Sequence, residues 1–289
     1  MKLKDKVALV TGGGRGIGAA IATALAAEGA DVAVAARTAS EVNAVEASLK
    51  LLGRRAKGIA VDVSVPDEVA RLIAETERAL GPVDILVNDA GVLGPVGPAV
   101  DNDPQAWLDS IQVNLGGVFL TAHAVLPGMI ARGRGKIINL SGGGAAGPRA
   151  FFSAYAAAKA AVARFTECLA EEVRPHGIQV NAIAPGPCNT RMFDEMVAVR
   201  DRGGPDNTRD VDERLKSGGV PLDRPAALVV YLASDESGWL TGRLISAIHD
   251  DWRSFDSQQD SIAGSEMFTL RRLDPHTLRR VGGSWPPNK

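Results

Sequence analysis

The chain has 289 residues, of which 45% are hydrophobic, and a formal net charge of −2. That length suits one large domain with an ample core, and the near balance of charge excludes a general electrostatic footprint for nucleic acid or an anionic membrane. Cys168 and Cys188 give no disulfide framework, and His123, His176, His249 and His276 have no metal-ligand spacing, so no metal site is expected.

From Lys6 to about Ile248, β-branched runs alternate with alanine-rich, helix-periodic segments. This predicts repeated βαβ units: an α/β fold with a single doubly wound parallel sheet, helices on both faces, occupying residues 1–250. Strands are expected at 7–11, 31–35, 57–61, 85–88, 136–140, 179–184 and 244–248, and helices at about 16–28, 40–52, 67–80, 104–131, 154–175 and 225–234. Two regions break the pattern. The charged stretch 191–219, with Arg191, Arg200, Arg202, Arg209, Arg214 and Lys216 among acids, reads as a solvated substrate lid. The tail 251–289 reads as a C-terminal extension. The apolar residues around Met267 to Leu273 predict docking over the substrate pocket or a neighbouring subunit, and 282–289 are expected to be disordered.

The first strand runs directly into Thr11-Gly12-Gly13-Gly14-Arg15-Gly16-Ile17-Gly18 and then an alanine-rich helix. Glycines let the backbone turn tightly and approach a pyrophosphate, while unpaired amides at a helix start supply donors and positive potential. The spacing is Gly-x-x-x-Gly-x-Gly rather than the commoner Gly-x-Gly-x-x-Gly. In NAD-binding sheets an acidic side chain near the end of the second strand holds the ribose 2′-hydroxyl. Here that strand ends without a carboxylate, in Val34-Ala35-Ala36-Arg37. Arg37 and Arg15 are suited to a 2′-phosphate by charge and fork geometry, so NADP(H) is favoured and NAD(H) is the alternative cofactor.

Further along, Tyr155 and Lys159 are four residues apart in a helical segment. That spacing sets a phenol and an ammonium on one face, with Cβ atoms about 5–6 Å apart. An ammonium there favours phenolate and lowers the tyrosine pKa, which suits proton transfer near neutral pH.

Together these segments resemble the short-chain dehydrogenase/reductase family over roughly residues 4–245. Thr11 to Gly18 is similar to its Thr-Gly-x-x-x-Gly-x-Gly loop, and Asp62-Val63 to the pair whose aspartate contacts the adenine ring. Asn88-Asp89-Ala90-Gly91 resembles its Asn-Asn-Ala-Gly motif, with Asp89 in place of the second asparagine. Asn114 falls where the family has its structural and catalytic asparagine, and Tyr155 and Lys159 fall on the Tyr-x-x-x-Lys motif. Pro185-Gly186, followed by Thr190, resembles the segment that seats the nicotinamide.

The resemblance implies hydride transfer between the nicotinamide and a carbon bearing oxygen, interconverting a secondary alcohol and a ketone or aldehyde. Tyr155 would exchange the hydroxyl proton, Lys159 would lower its pKa and hold the nicotinamide ribose, and Asn114 would order a water linking Lys159 to solvent. The family's serine normally lies thirteen residues before the tyrosine, which is Gly142 here. Ser141 is expected to supply that hydroxyl through a one-residue insertion in the glycine-rich loop. Ser153 is a second candidate, with helix capping as its other role.

The substrate is then a small alcohol or carbonyl compound, anionic if the arginines of 191–219 face it. In similar proteins, helices such as 104–131 and 154–175 often build dimer and tetramer contacts, so the resemblance implies a homodimer or homotetramer. No apolar run reaches the roughly 18–20 residues that cross a bilayer and Met1 to Lys6 lacks a leader core, so a cytoplasmic location without membrane attachment is expected. Gly142 and Asp89 leave open an alternative, a catalytically silent nucleotide-binding sensor or scaffold.

Overall fold

The computed structural model of the protein describes residues 1–272 and 274, so the disorder expected at 282–289 falls outside the described residues. Short runs rich in valine, isoleucine and alanine form seven strands: β1 (Val7–Thr11), β2 (Asp31–Ala36), β3 (Ala56–Ala60), β4 (Ile85–Asn88), β5 (Gly135–Leu140), β6 (Ile178–Ala184) and β7 (Leu244–Ser246). All pairs are parallel, in the order β3-β2-β1-β4-β5-β6-β7. Parallel strands covered on both faces read as continuous apolar runs, and β1 and β5 are buried at every residue.

The helices are α1 (Gly16–Ala27), α2 (Ala39–Leu51), α3 (Pro66–Leu80), α4 (Pro104–Ile111), α5 (Gly117–Arg132), α6 (Ser153–Val173), α7 (Arg191–Ala198), α8 (Gly204–Ser217), α9 (Asp223–Ala233) and α10 (Gln259–Ala263). One core lies between the sheet and α1, α2 and α9, the other between the sheet and α3, α5 and α6. The result is a Rossmann-type α/β fold with a C-terminal extension. The chain moves outward from β1 to β3 and then returns past β1 to β4, which opens a crevice at the carboxyl ends of those strands. Thr11 pairs with Ala35 on one side and Asn88 on the other, so three connecting segments leave the sheet at one level.

Four features depart from the sequence expectations. The helix expected at 104–131 is interrupted by a π turn at Gln112–Gly116, which places Asn114 where the helical bonding loosens. The charged stretch after Thr190, expected as a lid outside the strand–helix pattern, forms two amphipathic helices. Phe193 and Met196 of α7 and Asn207 and Val211 of α8 face inward, while the charged residues that dominate the composition lie mostly outward.

Among the described residues, none of the tail lines the crevice. Trp252, Phe255 and Ile262 are buried against the α1–α9 side of the core, where Tyr231 and Trp252 lie 5.7 Å apart at their ring centroids. Leu244 N donates to Phe268 O at 2.7 Å, so the tail occupies the free edge of β7 and covers an edge that would otherwise be open to pairing. Finally, Pro104–Arg132 is long and apolar enough by length and composition to cross a bilayer, contrary to the reading of apolar runs. In this fold it packs against α3, α6 and the sheet.

Candidate active site

The crevice encloses about 410 Å³, within the roughly 300–1,000 Å³ of small-molecule sites. Its floor is set by backbone proximity. Gly12 adopts φ +67° and a Cβ there would lie 2.8 Å from Ala90 N, while a Cβ on Gly18 would lie 2.4 Å from Gly12 O. No side chain caps the start of α1 at Arg15, so the first amides of that helix are not satisfied by a cap, which fits an anionic group in the crevice.

Of the residues singled out from sequence, Gly12, Arg15, Gly16, Ile17, Arg37, Asp62, Val63, Ala90, Gly91, Ser141, Tyr155, Lys159, Pro185 and Thr190 line it together. Thr11, Gly18, Asn88, Asn114 and Gly186 stand behind that lining. The Thr11 hydroxyl accepts from Ala90 N at 3.3 Å, and Asn88 Nδ2 donates to Asn139 Oδ1 at 2.9 Å inside the sheet. Asn114 Nδ2 donates to Val92 O and Ser110 O, both at 2.9 Å, and its Oδ1 accepts from Val92 N at 3.2 Å. Asn114 therefore ties the segment after β4 to the π turn.

One end of the crevice holds two arginines and two acids. Arg15 Nη1 lies 2.9 Å from Glu41 Oε1, a carboxylate that also lines the crevice and that inspection of β2 alone missed. Glu41 sits in α2, beyond the strand end where sequence reasoning looked for an acid. Arg37 is exposed and has no ion-pair partner within 4 Å among the described residues, though its charge helps to lower the Asp62 carboxyl. Burial opposes that lowering, and the Ser64 hydroxyl and N–H bonds to Asp62 outweigh it.

At the other end lie Tyr155 and Lys159, one turn apart on α6, whose Ala154 and Ala158 allow close approach to the sheet. Lys159 Nζ donates to Leu140 O at 2.8 Å and is 5.6 Å from the centroid of the Tyr155 ring. Burial pushes the Tyr155 phenol above its ordinary value. The groups that pull it back down are Arg149 and Arg214, rather than Lys159 as expected. Burial likewise pulls Lys159 down to about 8, against the opposing charge of Asp89, and pushes the Asp89 carboxyl up to about 7, against Lys159 and the Gly18 N–H.

The contact expected between Ser141 and the phenol is not formed. The Ser141 hydroxyl is buried and donates to Lys159 O at 2.8 Å, while Ser141 N donates to Ile183 O and continues the β5 pairing. Successive side chains of an extended chain point to opposite sides. The next position therefore faces the tyrosine: a Cβ on Gly142 would lie 3.5 Å from Tyr155 Oη. Gly142 has no hydroxyl to offer the phenol, and the Ser141 hydroxyl is bound to the backbone of α6. Ser153 Oγ accepts from Trp107 Nε1 at 3.1 Å and reaches neither role proposed for it.

A crevice of this build, closed at one end by a phenol and an ammonium, is that of a nicotinamide-dependent oxidoreductase. The model of the short chain dehydrogenase family matches residues 6–201, and the chain belongs to the short-chain dehydrogenase/reductase family. It is similar to the short-chain reductase protein NovJ of Streptomyces niveus, 42% identical over 246 residues that make up 84% of this chain and 92% of the relative. It is 34% identical to the 2,3-dihydro-2,3-dihydroxybenzoate dehydrogenase of Bacillus subtilis strain 168, over 83% of this chain and 93% of that one. Among solved structures, an actinorhodin polyketide ketoreductase with NADPH superposes with a TM-score of 0.77 at 32% identity, covering 83% of this chain and 95% of that one. Membership makes this chain an NAD(P)-dependent dehydrogenase or reductase acting by hydride transfer at a CH–OH or C=O group.

Proposed function

We propose that the protein is an NADP(H)-preferring alcohol dehydrogenase or carbonyl reductase that interconverts a secondary alcohol and a ketone or aldehyde. The observation that carries this reading is the Tyr155 and Lys159 pair at the end of a crevice whose other end holds Arg37. When bound, the cofactor supplies or accepts the hydride. Tyr155 gives its phenol proton to the carbonyl oxygen, or takes the hydroxyl proton in the reverse direction. Lys159, held by Leu140 O, keeps a positive charge beside the ring and holds the nicotinamide ribose. Thr190 and Pro185 seat the nicotinamide, Asp62 and Val63 the adenine, and Arg37 the 2′-phosphate.

A second reading, NAD(H) dependence, is favoured by the Glu41 carboxylate, which engages Arg15 and lines the same end. Helices α7 and α8 act as the covering segment over the substrate. Phe119 and Leu108, exposed on the outer face of the 104–132 segment, support a homodimer or homotetramer, and the expected site of action is the cytoplasm.

Turnover of a panel of ketones and secondary alcohols with NADPH or NADH tests the reading. Tyr155→Phe should lower kcat by about 10²–10⁴ with cofactor affinity nearly unchanged; substantial remaining turnover rejects Tyr155 as the acid and base. The wild type should bind NADPH more tightly than NADH, and Arg37→Ala should erase about tenfold of that difference, the loss of one charge-assisted contact. Equal affinity of the wild type for both cofactors would discard the NADP(H) preference.

A further inference from the structure

Two guanidinium groups lie over rings of the apolar cluster that packs against Tyr155, with no carboxylate within ion-pair distance among the described residues. Arg149 comes from the loop between β5 and α6 and lies over the Phe152 ring, 4.1 Å from its centroid. Arg214 comes from α8 and lies over the Phe193 ring, 4.6 Å from its centroid. Neither has an ion-pair partner within 4 Å among the described residues, and the sole hydrogen-bond partner of Arg149 is the Met196 sulfur at 3.9 Å. Both residues are only partly exposed. Around them Leu93, Val96, Phe152, Phe193, Met196 and Val211 form an apolar cluster against which Tyr155 packs.

That arrangement is electrostatically costly. Partly buried cations without a paired anion lose hydration and repel one another. Burial lowers both guanidinium groups from their ordinary value, and for Arg214 the charge of Arg149 lowers it further. The charge of Asp210 supports both cations, though among the described residues it forms no ion pair with either. Arginines that only cover a surface would turn their forks to water or to a carboxylate, as Arg200 does with Asp212 at 2.7 Å and Arg209 with Asp206 at 2.9 Å on the same helical segment.

The glycine loop ties these cations to the chemistry. A Cβ on Gly142 would lie 3.5 Å from Tyr155 Oη, and a Cβ on its neighbour Gly143 would lie 3.6 Å from Arg149 Nη1. Adjacent residues of one short loop therefore flank the phenol and the guanidinium. An anionic group beside Gly143 would meet the Arg149 guanidinium one residue along the loop from the position that faces the phenol. The forks are planar and lie over aromatic rings, an arrangement that suits the flat, singly charged carboxylate group.

We propose that the substrate is a carboxylate-bearing alcohol or ketone with an apolar body, its carboxylate received by Arg149 and Arg214 while its reacting oxygen faces Tyr155. The inference rests on the oxidoreductase reading for the reacting oxygen, but the anion subsite stands on its own geometry. Met192, which lines the crevice and packs against the apolar cluster, offers the body of the molecule an apolar surface, and the guanidinium forks supply directional donors that select an anion over a neutral isostere.

The test has a kinetic arm and a binding arm. In the first, a series of 3-oxo carboxylates and their methyl esters is reduced with NADPH by the full chain. The acid-over-ester ratio of kcat/KM should exceed tenfold and should fall by about ten- to a hundredfold in Arg149→Gln and in Arg214→Gln, the loss of a charge-assisted contact. The ratio cancels any slowing that comes from the effect of these cations on the phenol, and Arg214→Lys, which keeps the charge, should recover part of it. In the second arm, calorimetric titration of the NADP⁺-loaded enzyme compares 4-phenylbutanoate with 4-phenylbutanamide.

The carboxylate should bind at least tenfold more tightly than the amide, and the advantage should vanish in Arg149→Gln with NADPH affinity kept. Equal affinity of the two probes, or an advantage that survives in both arginine variants, overturns the proposal. Carboxylate binding without turnover of any acid or ester would sustain the anion subsite and reject the oxidoreductase reading instead.

Discussion

Gly18 and Gly142 lie beside the same crevice, yet an added methyl group would meet very different surroundings. At Gly18 it would sit 2.4 Å from Gly12 O and 2.6 Å from Asp89 Oδ2; at Gly142 nothing is closer than the Tyr155 phenol oxygen at 3.5 Å. The nucleotide side is therefore built of backbone packed against backbone. The opposite side presents side chains to the crevice, Ser141, Tyr155, Lys159 and Met192, next to the glycine loop. A wall made of main chain accepts one ligand shape, whereas a wall made of side chains can be retuned one residue at a time. This division matches a protein that shares its cofactor chemistry with a large family and keeps its substrate choice to itself.

The sharpest way to break this contrast is Gly18→Ala. Backbone cannot move aside as a flexible side chain can, so the overpacked methyl group should cost about 1–3 kcal/mol of stability and weaken NADPH binding at least tenfold, as read by fluorescence titration. An unchanged dissociation constant would show that the floor of the crevice is softer than its contacts indicate.

Gly142→Ser should act differently. Gly142 holds φ +149°, a region that side-chain-bearing residues avoid, so about 1–3 kcal/mol of stability is lost through strain. NADPH affinity should stay within about twofold, since the added hydroxyl faces the phenol rather than the nucleotide. Loss of cofactor binding in this variant would erase the distinction between the two walls.

The smallest effect concerns Asp89, which lies beneath both sides. Its folded-state value of about 7 is above the ordinary 3.8, so between those values the native state holds a proton that the unfolded chain has released. The stabilisation is complete below the unfolded value and is lost as pH rises through about 7. The charged groups around it are Lys159, Tyr155 and Cys188; Lys159 titrates at about 8, Cys188 is pushed up to about 11 by burial, and the phenol is raised by burial, so none of them titrates within that window. Asp89→Asn removes this titration, and the Tm of the variant relative to the wild type should climb between pH 5 and pH 7. A difference in Tm that stays flat with pH would mean the carboxyl titrates normally.

Much of this molecule is legible from local sequence. β-Branched runs bounded by glycine gave strands within two residues of their expected bounds, because a buried parallel strand needs little more than an apolar run. The four-residue spacing of Tyr155 and Lys159 was equally readable, since one helix carries both. The charged composition after Thr190 concealed α7 and α8, whose inward faces carry few apolar residues each.

What the sequence by itself determined is the doubly wound sheet, the glycine loop and the placing of phenol and ammonium on one helix, all of which follow from short-range spacing and backbone freedom. What only the tertiary structure decided is where separate segments meet: Glu41 at Arg15, the Ser141 hydroxyl at Lys159 O, Leu244 at Phe268, and Arg149 and Arg214 over rings of the cluster that packs against Tyr155. These meetings join residues far apart in the chain, and no local pattern encodes them. They depend on packing whole elements against one another, and in a one-residue ambiguity such as Ser141 or Gly142 the alternation of an extended chain decides which side chain faces the chemistry.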